Sequence, residues 1–288
     1  MKILVLGATG MLGHKLMQVL SRSYDVFGTV RGKSTSYKAH PVLGGLSIYG
    51  DTHAEDLDSI VKVLAQVRPD VVVNCIGVIK QHPLSCDPLH SITINSLFPH
   101  RLHRLCKTSG TRMIHISTDC VFSGRKGYYI ESDTPDAEDL YGRTKLLGEV
   151  SEPGSLTIRT SIIGRELQSN YGLVEWFLGN RGGRVQGYAN AIFTGFTSLA
   201  LADIIRNLIK AQPDLHGIWH ISSDPISKYD LLRLINHELD LRVVIDRNEK
   251  FRCDRSLNSD RFRKATGFIS PRWGEMIAGM ARDPTAYV

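Results

Sequence analysis

Long apolar runs are missing from this chain. No stretch of about 18 or more apolar residues occurs in its 288 positions, so no membrane-spanning helix is expected. A charged leader with a cleavage site is also missing; the first residues go straight into a strand-like run, and no secretory signal is expected. Cysteine is sparse. The five thiols, at positions 75, 86, 106, 120 and 253, form neither a Cys-x-x-Cys pair nor a zinc spacing. They read as reduced thiols of a cytoplasmic protein and argue against a disulfide framework. The eleven histidines, His82, His90, His100, His103, His115 and His220 among them, show no His-Glu-x-x-His and no three-ligand spacing, so no metal is expected. A lone histidine in an apolar strand, such as His115 or His220, reads as a core residue. The chain carries a formal charge of +6. Its basic residues are spread and carry no nucleic-acid motif, so no nucleic-acid partner is expected. A mildly basic balance also suits two anionic small ligands.

What the chain does have is alternation. Strands are predicted near 2–7, 25–30, 46–49, 70–75, 111–117 and 155–159, with helices near 11–22, 55–66, 88–109 and 141–151. That order gives an α/β fold, a Rossmann-type doubly wound parallel sheet, whose ligands sit at the carboxyl ends of the strands. Residues 1–165 read as the dinucleotide-binding domain with the catalytic residues. Residues 166–288 read mainly as a smaller α/β substrate-binding lobe with segments returning to the first domain. In it, helical patterns appear near 172–179, 199–211, 227–238 and 272–282, and strand-like runs near 184–187, 217–221 and 242–246.

Two features carry chemistry. The apolar strand Lys2–Leu6 runs into Gly7-Ala8-Thr9-Gly10-Met11-Leu12-Gly13 and then a helix. Gly7 allows the tight turn, Gly10 a close approach to a pyrophosphate, and Gly13 close packing of helix on strand. The helix N-terminus offers unpaired N–H groups to phosphates. Far downstream, Tyr141 and Lys145 share one helix face, where an ammonium would lower the phenol's pKa and ready it for proton transfer. After the second strand comes Arg31, where a carboxylate would meet a ribose hydroxyl; a guanidinium there favours NADPH. Taken singly, each also reads blandly: a solvated arginine, an aromatic at a helix start, a solvated lysine, and at Thr118 a turn residue.

The Gly-x-x-Gly-x-x-Gly spacing, Tyr141/Lys145, Asn74-Cys75-Ile76-Gly77, Asn95 and Ser117-Thr118-Asp119-Cys120-Val121-Phe122-Ser123-Gly124 together resemble the extended short-chain dehydrogenase/reductases. The last segment is similar to the Ser-Thr-Asp-x-Val-Phe-x-Gly signature of their dTDP-4-dehydrorhamnose reductase branch. The resemblance covers nearly the whole chain. It implies a catalytic triad of Thr118, Tyr141 and Lys145. It implies NADPH contacts from Gly7, Thr9, Gly10, Met11, Leu12, Gly13, Arg31, Asp51, Asn74, Cys75, Ile76, Gly77 and Asn95, with Asp51 at the adenine and Asn95 helping to hold Lys145. It implies substrate contacts from Thr118, Val121, Phe122, Trp176 and Arg184. Arg181, Arg252, Arg255, Phe177, Tyr188 and Phe193 are further candidates for a diphosphate or a ring face.

The implied activity is NADPH-dependent reduction of the C4 ketone of a nucleotide-diphosphate sugar, a 4-dehydro-6-deoxy-hexose feeding surface polysaccharide, with a homodimer left open. The segment before Tyr141 departs from the usual Pro-x-x-x-Tyr-Gly, which keeps a UDP-linked 2-acetamido sugar as an alternative substrate. Other readings of the same fold are a nucleotide-sugar epimerase, which Arg31 disfavours, a dehydratase, disfavoured by Asp119-Cys120 after Thr118, and a non-catalytic NADP-binding regulatory subunit.

Overall fold

A computed structural model describes residues 1–81 and 83–287; His82 lies outside the described residues. In chain order the elements are β1 (Lys2–Leu6), α1 (Gly13–Leu20), β2 (Asp25–Thr29), β3 (Ser47–Tyr49), α2 (Leu57–Val67), β4 (Val71–Asn74), α3 (Pro88–Ser91), α4 (Phe98–Thr108), β5 (Arg112–Ile116), α5 (Leu140–Leu147) and β6 (Ser155–Arg159). The lobe adds β7 (Ile162–Ile163), α6 (Leu173–Leu178), β8 (Arg184–Phe193), β9 (Phe196–Thr197), α7 (Ser198–Ala211), β10 (Gly217–His220), β11 (Ile226–Ser227), α8 (Lys228–Glu238), β12 (Val244–Asp254), α9 (Asp260–Thr266) and α10 (Trp273–Ala281).

Seven strands form one sheet in the order β10-β6-β5-β4-β1-β2-β3, and every pairing is parallel. Parallel strands buried on both faces need apolar side chains in both directions. Ile3, Val5, Val73, Ile114 and Ile158 face the core shared with α1 and α7. Leu4, Leu6, Val72 and Met113 face the core under α2 and α4. Each fully buried aliphatic side chain contributes about 1.5–3 kcal/mol. From β1 the chain builds outward to β2 and β3; from β4 it builds the other way to β5, β6 and β10. The order therefore reverses between β1 and β4, where Gly7 meets Cys75 and Ile76: a Cβ on Gly7 would lie 3.3 Å from Ile76 Cγ1.

Three departures from the sequence pattern matter. The run at 217–221 joins the main sheet as its edge strand beside β6, Gly217 opposite Leu156 and His220 opposite Arg159. The short runs predicted at 184–187 and 242–246 are the starts of β8 and β12, ten and eleven residues long. The later half of β12 is polar and exposed, while that of β8, residues 189–193, is partly buried; parallel pairing from Val244↔Arg184 to Asp254↔Ile192 across one irregularity holds the two strands together. The helix predicted over 88–109 contains a π-helical stretch at Ile92–Leu97 between α3 and α4. Such widened turns recur at functional sites, and this one holds Asn95.

Candidate active site

The glycine turn forms for steric reasons. Gly7 sits at φ +84°, and a Cβ on Gly13 would lie 2.0 Å from Gly7 O, so α1 can start against β1 only without a side chain there. The turn is tied to β2 by Ala8 N–H donating to Thr29 O at 2.9 Å. Leu12 at the start of α1 provides no side-chain cap, and the first turn has no acidic residue. Those helix-end N–H groups suit an anion. Met11 reaches across to the lobe: a Cβ on Gly172 would lie 2.8 Å from Met11 Cε. Arg31 is exposed just past β2, and Asp51, at φ +52°, donates its N–H to Gly32 O at 3.0 Å, so the ends of β2 and β3 meet.

Asn74, the last residue of β4, is fully buried and its amide is engaged inside the protein. Its Nδ2 bonds His115 Nδ1 at 3.1 Å, and its Oδ1 accepts from Ile76 N–H at 3.1 Å. Asn74 therefore shapes the loop of Cys75–Gly77 from a fully buried position. Asn95 clamps the same loop further on, accepting from Val78 N–H at 2.8 Å and donating to Val78 O at 3.0 Å. Its Nδ2 also donates to Thr144 Oγ1 at 3.3 Å, binding the loop to α5. A Cβ on Gly77 would lie 4.0 Å from Lys145 Nζ, so loop, Asn95 and Lys145 converge.

Thr118, two residues past β5, is extended and caps the short turn Asp119–Val121, its Oγ1 accepting from Cys120 N–H at 3.1 Å. The same hydroxyl donates to Asp119 Oδ1 at 3.2 Å and hydrogen-bonds the Tyr141 phenol. Asp139 caps α5 by accepting from Gly142 N–H at 2.8 Å. Gly142 lets α5 lie on the Thr118 turn, since a Cβ there would be 2.2 Å from Cys120 O. Lys145 Nζ, one helical turn beyond Tyr141, donates to Ile116 O at 2.7 Å. Burial lowers its pKa to about 8, opposed by Glu149 and Cys75.

The expected depression of the phenol by Lys145 is not found. Burial pushes the Tyr141 phenol above its ordinary value, and Cys120, Asp119 and Asp139 push the same way. Lys145 is not among the leading influences on the phenol, and its ammonium donates to Ile116 O. A phenol held high keeps its proton at neutral pH, the form needed by an acid. Lys80 lies over the Tyr141 ring, 5.7 Å from its centroid, and pairs with Asp139 at 2.6 Å.

Several expected substrate residues are placed elsewhere. Val121 and Phe122 have no exposed surface; Phe122 stacks on Tyr129 at 4.1 Å in a small core with Leu257. They brace the Thr118 turn and present no surface to a ligand. Arg184 pairs with Asp246 at 2.6 Å at the start of β8. Ile192, near the far end of the strand, lies eight steps along from it, roughly 26 Å at the usual rise. Arg181 bonds Asp240 O and Leu239 O, and Tyr188 packs on Phe251. Trp176 is 43% exposed on α6. Arg255, by contrast, comes to the site, donating from Nε to Phe122 O at 2.9 Å.

Other residues at the site escape sequence reading. Glu149 is fork-bonded to Arg159 at 2.8 and 2.7 Å and accepts from Ser117 Oγ at 2.6 Å. Its spacing of four from Lys145 was the available signal. Asp119, 6% exposed, has its pKa raised by burial. Lys228, at the start of α8, faces it from the lobe; nothing local in the sequence marks that lysine.

The RmlD substrate binding domain profile matches residues 1–283. A probable low-salt glycan biosynthesis reductase of Haloferax volcanii is 28% identical over 167 residues, 55% of this chain and 52% of that protein; the chain thus spans about half the length of that relative. The methionine adenosyltransferase 2 subunit beta of Danio rerio is 27% identical over 248 residues, 80% of this chain and 71% of that one. The solved dTDP-4-dehydrorhamnose reductase of Bacillus anthracis, a complex with NADP, superposes with a TM-score of 0.77 at 20% identity, covering 97% of this chain and 98% of that one. With its profile matched over almost the whole length, the chain belongs to the RmlD substrate binding domain family.

Proposed function

We propose that the protein is a cytoplasmic reductase that uses NADPH to convert the C4 ketone of a nucleotide-linked 4-dehydro-6-deoxy-hexose to an alcohol, in the making of surface polysaccharide. The observation that carries this reading is the hydrogen bond between Thr118 and Tyr141, with Lys145 one turn further on, at the strand ends beside an uncapped glycine turn. The cradle fits a dinucleotide. Gly7 and Gly13 close it, the N-terminus of α1 would take the pyrophosphate, and Arg31 would take a 2′-phosphate. The Bacillus anthracis relative was solved with NADP, which supports that class of cofactor.

When bound, the dinucleotide supplies the hydride that forms the new C–H bond at the carbonyl carbon. The residues of this chain do the rest. Thr118 Oγ1 would turn its one proton from Asp119 Oδ1 to the carbonyl oxygen and fix it beside the phenol. As the carbonyl π electrons move onto oxygen, Tyr141 passes its proton there, completing the alcohol. Lys145, protonated below about pH 8, holds the ribose hydroxyls and restores charge balance beside the phenolate. NADPH oxidation followed at 340 nm with a panel of dTDP- and UDP-linked 4-keto sugars tests the reading; no turnover across the panel would reject it.

A second reading, a regulatory subunit without turnover, is favoured by one observation: the match to a transferase beta subunit spans 80% of this chain. Retention of Thr118, Tyr141 and Lys145 supports the enzyme, and the same assay separates the two.

A further inference from the structure

Lys228 opens α8, directly after β11, which pairs antiparallel with the end of β8, Ser227 opposite Ile192. Its Nζ lies 3.9 Å from the centroid of the Phe193 ring. A cation over a phenyl face is stabilised by the ring quadrupole, yet a face accepts no directed hydrogen bond. Among the described residues the ammonium has no hydrogen-bond acceptor and no ion pair, and the side chain is half-buried. The acidic group that acts on it most strongly is the Asp119 carboxyl.

Asp119 is in a matching state. Its carboxyl group is buried beside Thr118, takes side-chain hydrogen bonds from Thr118 Oγ1 and Cys120, and among the described residues forms no ion pair. Arg255, which also faces it, is held by Phe122 O. A desolvated cation and a desolvated carboxylate that face each other without pairing leave both polar groups short of partners, a costly arrangement. One kind of ligand group satisfies both: a hydroxyl, which accepts from an ammonium and donates to a carboxylate. Position decides which hydroxyl. Thr118 would hold the reacting carbonyl oxygen, and Asp119 is the next residue, so the hydroxyl belongs on the carbon adjacent to that carbonyl.

We infer that Lys228 is a specificity residue that, opposite Asp119, hydrogen-bonds a hydroxyl on the carbon next to the reacting ketone, restricting the enzyme to α-hydroxy ketones and their alcohol products. The inference rests on the proposed reductase reading for the place of the carbonyl. Its chemistry follows a general rule: a site built to hydrogen-bond a hydroxyl rejects the analogue that lacks it, because buried partners are then left unpaired.

The test is calorimetric binding of dTDP-rhamnose and its 3-deoxy analogue to the NADP+ complex of the wild type, Lys228→Met and Lys228→Arg. Methionine keeps the stem over Phe193 and removes the charge; NADP+ affinity and melting temperature report whether the variant folds, and Lys228→Gln replaces it if it does not. The wild type is expected to prefer the hydroxylated ligand roughly ten- to a hundredfold. Lys228→Met should bind the two within about threefold of each other, and Lys228→Arg should restore most of the preference. Equal preference in wild type and Lys228→Met overturns the inference and leaves the reductase reading intact. Absence of binding of either ligand by the wild type overturns both. Discrimination by Lys228 without any turnover of 4-keto sugars rejects only the reductase reading.

Discussion

Lys145 donates from Nζ to the carbonyl oxygen of Ile116 at 2.7 Å, pinning α5 to the last residue of β5. Through that bond the helix bearing Tyr141 is registered against the strand that leads into Thr118. The lysine is thus a structural strut as well as a charge. Burial beside Cys75 and Glu149 keeps it near neutrality, with a pKa of about 8.

Tyr141→Phe removes only the hydroxyl. Circular dichroism and NADPH titration should match the wild type, while turnover of a verified 4-keto sugar falls by about 10² or more. Near wild-type reduction by the variant would exclude Tyr141 as proton donor.

The pH profile follows from the direction of two shifts. Tyr141 is raised and stays protonated through neutral pH, so it sets no alkaline limb in the working range. Lys145 is lowered to about 8, so its charge is present below that pH and lost above it. Reduction measured as kcat/KM should be level near pH 7 and fall about tenfold per pH unit well above 8. Lys228 is also lowered to about 8; persistence of the limb in Lys228→Met assigns it to Lys145, and its disappearance assigns it to Lys228.

In the proposed reading Arg31, exposed just past β2, takes the 2′-phosphate. Arg31→Ala should weaken NADPH binding roughly ten- to a hundredfold and leave NADH almost unchanged. Equal fluorescence titrations of the two cofactors with the wild type would remove the arginine from that role.

The Glu149–Arg159 pair has side chains 3% and 4% exposed. Glu149→Ala strands a buried guanidinium and leaves Ser117 Oγ without its acceptor, and should cost about 3–5 kcal/mol in urea unfolding. A loss below about 1 kcal/mol would show that the bond Arg159 already makes with His220 Nε2, at 3.2 Å, suffices to hold the guanidinium.

Much of the first domain was written locally. The Val71–Val73 and Lys2–Leu6 runs are apolar on both faces, as buried parallel strands must be, and the glycine spacing is demanded by one backbone turn. The later half of β12 carries no such signal: it is polar and exposed, and its pairing comes from β8, many residues away in the chain. The same separation misled the reading of the lobe: Arg184 belongs to a basic, aromatic, glycine-rich segment, yet the strand carries it to the end away from Thr118.

By itself the sequence determined the doubly wound sheet, the glycine turn and the order Thr118, Tyr141, Lys145, since periodicity, chain reversal and helix-face spacing are properties of neighbours. Tertiary structure alone decided the charge states and the partners. Whether a phenol is raised or lowered depends on which groups surround it, and folding gave Tyr141 Cys120 and Asp119 as neighbours while turning Lys145 to Ile116 O. It also brought Lys228 across more than a hundred residues to face Asp119, because β11 pairs with the end of β8. Such contacts arise from the closing of the lobe on the sheet, which no local pattern encodes.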